Sequence, residues 1–481
     1  ALADLALSPD RTAHQVDDLF HNGKAEAAAA HGMTPQEWCD SQVTQFTELW
    51  RDLDITNDDF IRTTQPRHVK GVQDFMQKLH DNGYLYKGTY DGYYCTPCET
   101  QFTEGDLVDG KCPDCGREVK VIHEENWFFK LSEFGDKLLA YYDEHPNFIR
   151  PQIRENEIRS FIEGGMHDLS VSRTAFDWGI PLPFDPEHVT YVWVDALINY
   201  LTALGYGSDD TTLLERFWPA NFHFVGKDII RFHCVIWPAM LMAAGMECPR
   251  HVFAHGFLMA ADGSKMSKSK GNALYPRDLI ERYGVDAYRY YFLSDVTFGS
   301  DANIGHDRIT QVYNADLANT YGNLFSRVSN MVIKYFDGQV PEVPAEFGLE
   351  ENPLSEIAEG LYERYAACMN DIDFGGAAAH VMELLHRANL YVEESAPWNL
   401  AKSEETQGDL AFVLYNALEV CRIAALLLAP FMPNTSTELW RRLGLEDPCA
   451  VDNAAELALW VGLPAGNEVT KGDALFPRLE K

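Results

Sequence analysis

Apolar residues recur at intervals of three and four along residues 36–54 and 66–82, which predicts two amphipathic helices. The second runs into Asn82-Gly83, a pair that closes a helix. From Tyr84 to Trp127 the period breaks into short strand-like runs, Tyr84–Tyr86, Tyr90–Tyr94 and Glu118–Ile122, separated by Gly, Pro and Cys. A module so rich in loops needs something other than a hydrophobic core to hold it. Helical spacing returns at 132–145 and 151–164. The apolar runs Thr190–Val194, Phe222–Val225 and His251–His255 then alternate with helical patterns at 195–204, 228–244 and 276–283. That alternation is the rhythm of a parallel sheet with crossover helices. Beyond Gly299 amphipathic stretches at 307–335, 353–370, 373–394 and 407–430 predict an all-α bundle. The last thirty residues carry no readable period, and no internal repeat is present.

Composition narrows the class. The 481 residues are 46% hydrophobic and 12% aromatic, enough for several cores and, by length, about three domains. No apolar run reaches the ~18 residues that cross a bilayer, and residues 1–30 lack the charged start and apolar stretch of a leader, so a soluble cytoplasmic chain is expected. Basic residues number 39 against 73 acidic, a formal net charge of −34. Such a balance excludes loose association with nucleic acid, since phosphate neutralisation needs Lys and Arg. An RNA partner requires the basic residues to gather on one face, and the remaining acidity reads as solubility in a high-salt or acidic-proteome host.

Two motifs carry chemistry. Cys95-x-x-Cys98 is followed after thirteen residues by Cys112-x-x-Cys115, each pair in a turn containing Pro or Gly. Two such knuckles place four thiolates around one ion, zinc before iron, with no position left open for water, so the ion is structural. Two disulfides, or four unrelated thiols, are the alternative. The other six cysteines lie scattered and read as ordinary small apolar residues. The second motif is Gly263-Ser264-Lys265-Met266-Ser267-Lys268-Ser269-Lys270-Gly271-Asn272. A loop of this kind is either a solvated surface or a flexible wrap for a polyphosphate.

Lys265-Met266-Ser267-Lys268-Ser269 resembles, at all five positions, the mobile ATP-binding loop of class I aminoacyl-tRNA synthetases. Tyr191-Val-Trp193-Val-Asp195-Ala196-Leu-Ile-Asn-Tyr200 and Gly226-Lys227-Asp228-Ile229-Ile230-Arg231-Phe232-His233 are similar to the methionine branch of that family. Further likeness runs from about Gly32 through Phe60–Thr64, Leu169–Arg173, Trp178–Pro181 and Ala254–Leu258. The resemblance implies ligation of methionine to tRNA(Met), with ATP and Mg2+ consumed through methionyl-adenylate. It assigns Lys265, Lys268 and Arg173 to catalysis, and His255 and Gly256 together with both lysines to ATP. It gives Trp193, Ala196, Tyr200, Asp228, Ile229 and His233 to the methionine pocket, where an aromatic wall suits a polarizable thioether. Asn323, Arg327, Pro397 and Trp398 match positions that read the CAU anticodon, and Trp398 could stack on a splayed loop base. Cys95, Cys98, Cys112 and Cys115 match a structural zinc site in an insertion.

The family's His-Ile-Gly-His helix start and Thr-Asp-Glu-His-Gly segment have no counterpart in residues 1–31. Losing such transition-state contacts costs ~3 kcal/mol each, so the sequence as it stands is expected to be a poor catalyst. The expected architecture is α/β: a Rossmann-like parallel sheet with an incomplete N-terminal part, a zinc-knuckle insertion and a C-terminal all-α anticodon-binding bundle. The expected divisions are 1–83 and 190–262 for the nucleotide-binding halves, 84–189 for the insertion, 263–311 for the lysine loop and stem-contact region, 312–450 for the bundle and 451–481 for an extension. A monomer is expected. A ligase for another apolar amino acid and a non-catalytic tRNA-binding paralogue are the rivals.

Overall fold

The computed structural model describes residues 31–95, 100–102, 104–113, 116–174, 178–266, 271–348 and 352–480. The chain divides into two compact units, one of residues 1–258 and 265–273 and the other of 259–264 and 274–481. Residues 1–31, on which the missing-motif expectation rests, lie almost entirely outside the described residues.

In the first unit the helices come where the apolar period put them: α1 (Pro35–Asp52), α2 (Pro66–Asp81), α3 (Gly135–Glu144) and α4 (Gln152–Glu163). Thr34 caps α1 and Glu37 reciprocates, closing a capping box with Pro at the first turn. Strands β1 (Leu85–Cys95), β2 (Thr100–Phe102), β3 (Lys120–Phe129) and β5 (Leu169–Ser170) form an antiparallel sheet in the order β2-β1-β3-β5. Two strand-like runs seen in the sequence are thus one eleven-residue strand. A second small antiparallel sheet joins β6 (Ser172–Arg173), β8 (Asp185–Thr190) and β7 (Pro181–Leu182). The third sheet is parallel: β4 (Ile149–Arg150), β10 (His251–His255) and β9 (Phe222–Gly226).

One expectation fails here. Thr190–Val194 is not a strand of the parallel sheet: the strand ends at Thr190, and helix α5 (Val192–Thr202) begins two residues later. Trp193, Val194, Leu197, Ile198 and Leu201 are all buried. A helix covered on most sides reads as a continuous apolar run, which periodicity cannot separate from a buried strand. A short helix, α6 (Thr212–Phe217), and then α7 (Trp237–Ala243) follow; ahead of α7 the chain passes through a π-turn at Phe232–Ile236. The core of this unit draws Phe75, Leu138, Ile158, Leu197, Trp237 and Val252 from helices and sheet alike.

The second unit is helical: α8 (Pro276–Tyr283), α9 (Val285–Ser294), α10 (His306–Val312), α11 (Asn323–Tyr335), α12 (Pro353–Ala358), α13 (Leu361–Asn370), α14 (Phe374–Ser395), α15 (Pro397–Leu400), α16 (Gln407–Leu428), α17 (Pro433–Arg442) and α18 (Ala454–Leu457). Between α10 and α11 ten residues, Tyr313–Gly322, wind as a π-helix. Helix α16 is long and apolar overall, though interrupted by Asn416, Glu419 and Arg422, and nearly all of it is buried within the bundle. The unreadable last thirty residues are clasped onto this bundle. Glu419 and Arg422, both fully buried on α16, pair at 2.6 Å. Glu419 accepts from the amides of Gly462 (2.7 Å) and Leu463 (3.0 Å), while Arg422 donates to the Leu459 carbonyl at 2.8 Å. Every lone pair of a buried ion pair needs such a partner, or desolvation outweighs the attraction.

Candidate functional site

Parallel strands β9 and β10 run in register, His255 beside Gly226, so both end at one edge of their sheet. Ligands of open parallel sheets sit outside that carboxyl edge. Gly226, Lys227, Asp228 and Ile229 leave β9 there, and His255 and Gly256 leave β10. A Cβ on Gly226 would meet the Asp228 carboxylate, which would have to turn aside. Lys227 lies 4.6 Å from the centre of the Phe257 ring.

Two helices present side chains beside this edge. Trp193, Ala196 and Tyr200 are spaced three and four apart and share one face of α5, as do Ile229 and His233 after β9. The Tyr200 hydroxyl is 2.8 Å from His233 Nε2, and His233 Nδ1 is 2.9 Å from the Ile229 carbonyl. A carbonyl only accepts, so Nδ1 carries the proton, Nε2 accepts, and the tyrosine donates. Burial holds the imidazole down to about 4, neutral at pH 7, and pushes the Tyr200 phenol well above its ordinary range. Trp193 stacks on Phe232 at 4.2 Å, and Tyr200 stacks on His223 at 3.9 Å. The result is an aromatic cluster with one neutral hydrogen-bonded pair, suited to an uncharged polarizable group.

The sequence reading missed what holds α5. His68 of α2, fully buried, sets Nε2 2.6 Å from Asp195 and Nδ1 2.7 Å from the Thr202 hydroxyl. A side chain at Gly71 would collide with Thr202, so the two helices touch only because that position is glycine. The i, i+7 spacing of Asp195 and Thr202 was visible, but their partner stands 127 residues from Asp195.

Arg173 on β6 is also buried, with Nη1 donating to Ser170 Oγ (3.0 Å) and the Ser172 carbonyl (2.7 Å). Behind it Ser172, His188 and Asp185 form a chain at 3.0 and 3.4 Å. The Ser172 hydroxyl has no solvent exposure and accepts the Trp127 amide at 2.8 Å, which makes the chain a brace rather than a nucleophile with its base. Lys265 is exposed; Lys268 lies outside the described residues.

Cys95 and Cys112 are buried together with Phe102 in a small cluster of their own. The Gly116 amide donates to the Cys112 carbonyl at 2.9 Å, with Gly116 at φ +70°. Cys98 and Cys115 lie outside the described residues.

In the second unit Asn323 and Arg327 stand one turn apart on α11. Arg327 lies 5.9 Å from the Trp398 ring centre and 3.3 Å from the Glu393 carboxylate. Ala396, at φ 45° and ψ 57°, makes the corner between α14 and α15 that buries Pro397 and leaves Trp398 39% exposed. The structure therefore brings Arg327 and Trp398 together from helices 71 residues apart and adds Glu393, which the sequence reading did not single out.

Comparison with known proteins follows this geometry. A family model described as tRNA synthetases class I (M) matches residues 17–121 and 116–329, and one described as the anticodon binding domain of methionyl tRNA ligase matches 340–481. A methionine–tRNA ligase of Caldanaerobacter subterraneus is 47% identical over 96% of this chain and 72% of its own length. One of Streptomyces coelicolor is 46% identical over 94% of this chain and 87% of its own. The crystal structure of Mycobacterium tuberculosis methionyl-tRNA synthetase bound by methionyl-adenylate superimposes with a TM-score of 0.89 at 40% identity, over 96% of this chain and 91% of that one. The chain belongs to the methionine–tRNA ligase family of class I aminoacyl-tRNA synthetases.

Proposed function

We propose that the aromatic cage of Trp193, Ala196, Tyr200, Ile229 and His233 receives the methionine side chain while this ligase forms methionyl-adenylate and passes the methionyl group to tRNA(Met). The observation that carries the assignment is the Tyr200–His233 hydrogen bond at 2.8 Å, with the Tyr200 ring stacked on His223 of the parallel sheet. Its neutral pair tolerates a thioether, whose contacts with aromatic rings are worth ~0.3–1.5 kcal/mol. Asp228 serves the charged end of the amino acid. His255 and Gly256 flank ATP. Lys265 and Lys268 carry charge to the departing pyrophosphate, and Arg173 steadies the α-phosphate as the carboxylate attacks it. Magnesium, when bound with ATP, neutralises phosphate charge.

Cys95, Cys98, Cys112 and Cys115 would hold zinc, a fit supported by the burial of Cys95 and Cys112 together in one small cluster. Four thiolates leave no open position, so the ion staples the module and takes no part in the reaction. Asn323, Arg327, Pro397 and Trp398 read the anticodon. The domain divisions given by the sequence, a monomeric state and a cytoplasmic location complete this reading. Amino-acid-dependent ATP–pyrophosphate exchange tests the pocket: methionine should support it and leucine and valine should not. Equal exchange with all three, or full methionine use by Trp193→Ala, overturns the assignment. One zinc per chain by elemental analysis tests the knuckles.

A further inference from the structure

Arg173 Nη1 donates to Ser170 Oγ and to the Ser172 carbonyl. Two aromatic rings also lie against its guanidinium. The guanidinium carbon lies 4.2 Å from the centre of the Tyr191 ring and 5.9 Å from that of Tyr94, both within the range of cation–π attraction. We infer that Tyr94 is a positioning residue for adenylate formation, clamping Arg173 together with Tyr191; the inference rests on the adenylation role proposed for Arg173. An aromatic face attracts a cation without neutralising it, so a guanidinium held this way keeps its charge for a phosphate. The attraction is largest where water is excluded, and Arg173 is 4% exposed.

The two rings reach the arginine from different places. Tyr191 immediately precedes α5 and thereby adjoins the methionine cage, so changing it disturbs two functions at once. Tyr94 comes from β1, where it pairs with Lys120 of β3 and Gln101 of β2, and it is not among the cage residues. Its ring is the separable half of the clamp.

The experiment is ATP–pyrophosphate exchange by the full-length protein carrying Tyr94→Leu, Tyr94→Met or Tyr94→Phe, with bound zinc and thermal midpoint recorded for each. The expected result is a fall in kcat of about tenfold for the two aliphatic variants. KM for methionine should stay unchanged, and Tyr94→Phe should keep most of the wild-type rate. Because Tyr94 adjoins Cys95, an aliphatic variant that loses zinc is set aside and the other decides; if both lose zinc, a Tyr94→Phe protein that retains zinc yet shows the same fall in kcat overturns the clamp, and one that keeps the rate supports it. Full kcat in a zinc-loaded aliphatic variant also overturns it. Arg173→Ala separates the two claims. If that change leaves exchange intact, the adenylation role of Arg173 is wrong. If it abolishes exchange while Tyr94→Leu does not lower it, only the clamp is wrong. Adding Tyr94→Leu to Arg173→Ala should lower the rate no further.

Discussion

The proposed methionine cage and the proposed anticodon face are built from the same kind of pair, an aromatic ring beside a nitrogen-bearing side chain, in opposite surroundings. In the cage Tyr200 meets a His233 that is buried, neutral and committed at both ring nitrogens. On the bundle Trp398 is 39% exposed and lies beside Arg327, whose charge is met by an exposed Glu393 at 3.3 Å. Burial makes the first a shape and polarity filter, because any group entering must give up water. Exposure makes the second a landing surface, where stacking and charge act but single ion pairs are worth ~1 kcal/mol or less. Selection among small apolar amino acids needs the former. A large, hydrated polyanion can use the latter.

Four substitutions or conditions test that contrast, beginning with the largest effect. Trp193→Ala removes a ring that is 7% exposed, and should cost ~3–5 kcal/mol of stability in the first unit together with most methionine-dependent exchange. Binding of a CAU stem-loop, followed by anisotropy, should stay within twofold; a parallel loss would mean the two regions are not independent.

Acid should separate the regions next. His233 is held near 4 by burial, and His223 near 3 by burial and by His233, against an ordinary 6.5. Between pH 6.5 and 4 the unfolded chain binds protons that the folded cage refuses. The stability these neutral imidazoles permit is therefore intact above 6.5 and falls as pH drops towards 4, by up to about 3 kcal/mol for His233. Hydrogen exchange followed from pH 7 to 4.5 should show 192–243 loosening before α14 and α16. Uniform loosening would contradict a pocket-specific cause.

Trp398→Ala should weaken CAU stem-loop binding by ~1–3 kcal/mol, the usual worth of base–aromatic stacking, and leave a scrambled loop unaffected. Retained discrimination would reduce Trp398 to a surface residue. The smallest effect belongs to Arg327→Ala: a loss near 1 kcal/mol, with the salt slope of binding reduced by about one if its target is a phosphate. A slope that does not move points to a base edge instead.

How much of this was legible follows from the range of each interaction. The helices α1 to α4 and the long helices of the bundle came from the spacing of apolar residues, with ends within a few residues of those expected. Trp193, Ala196 and Tyr200 could be placed on one face once α5 was known to be a helix. That it is one was obscured, because its burial on most sides erased the period.

By itself the sequence determined what depends on neighbours along the chain: helix spacing, turns, the paired cysteines, the lysine loop and the motifs that mark the family. Tertiary structure decided everything that needed a distant partner. It set His68 against Asp195 and Thr202, gave His233 its neutral state by enclosing it, drew Tyr94 from β1 over Arg173, and joined Glu419 and Arg422 to the C-terminal segment. The physical reason is that hydrogen bonds, stacking and desolvation act over a few ångströms of space, and sequence spacing specifies such distances only within a helix, a turn or a single strand.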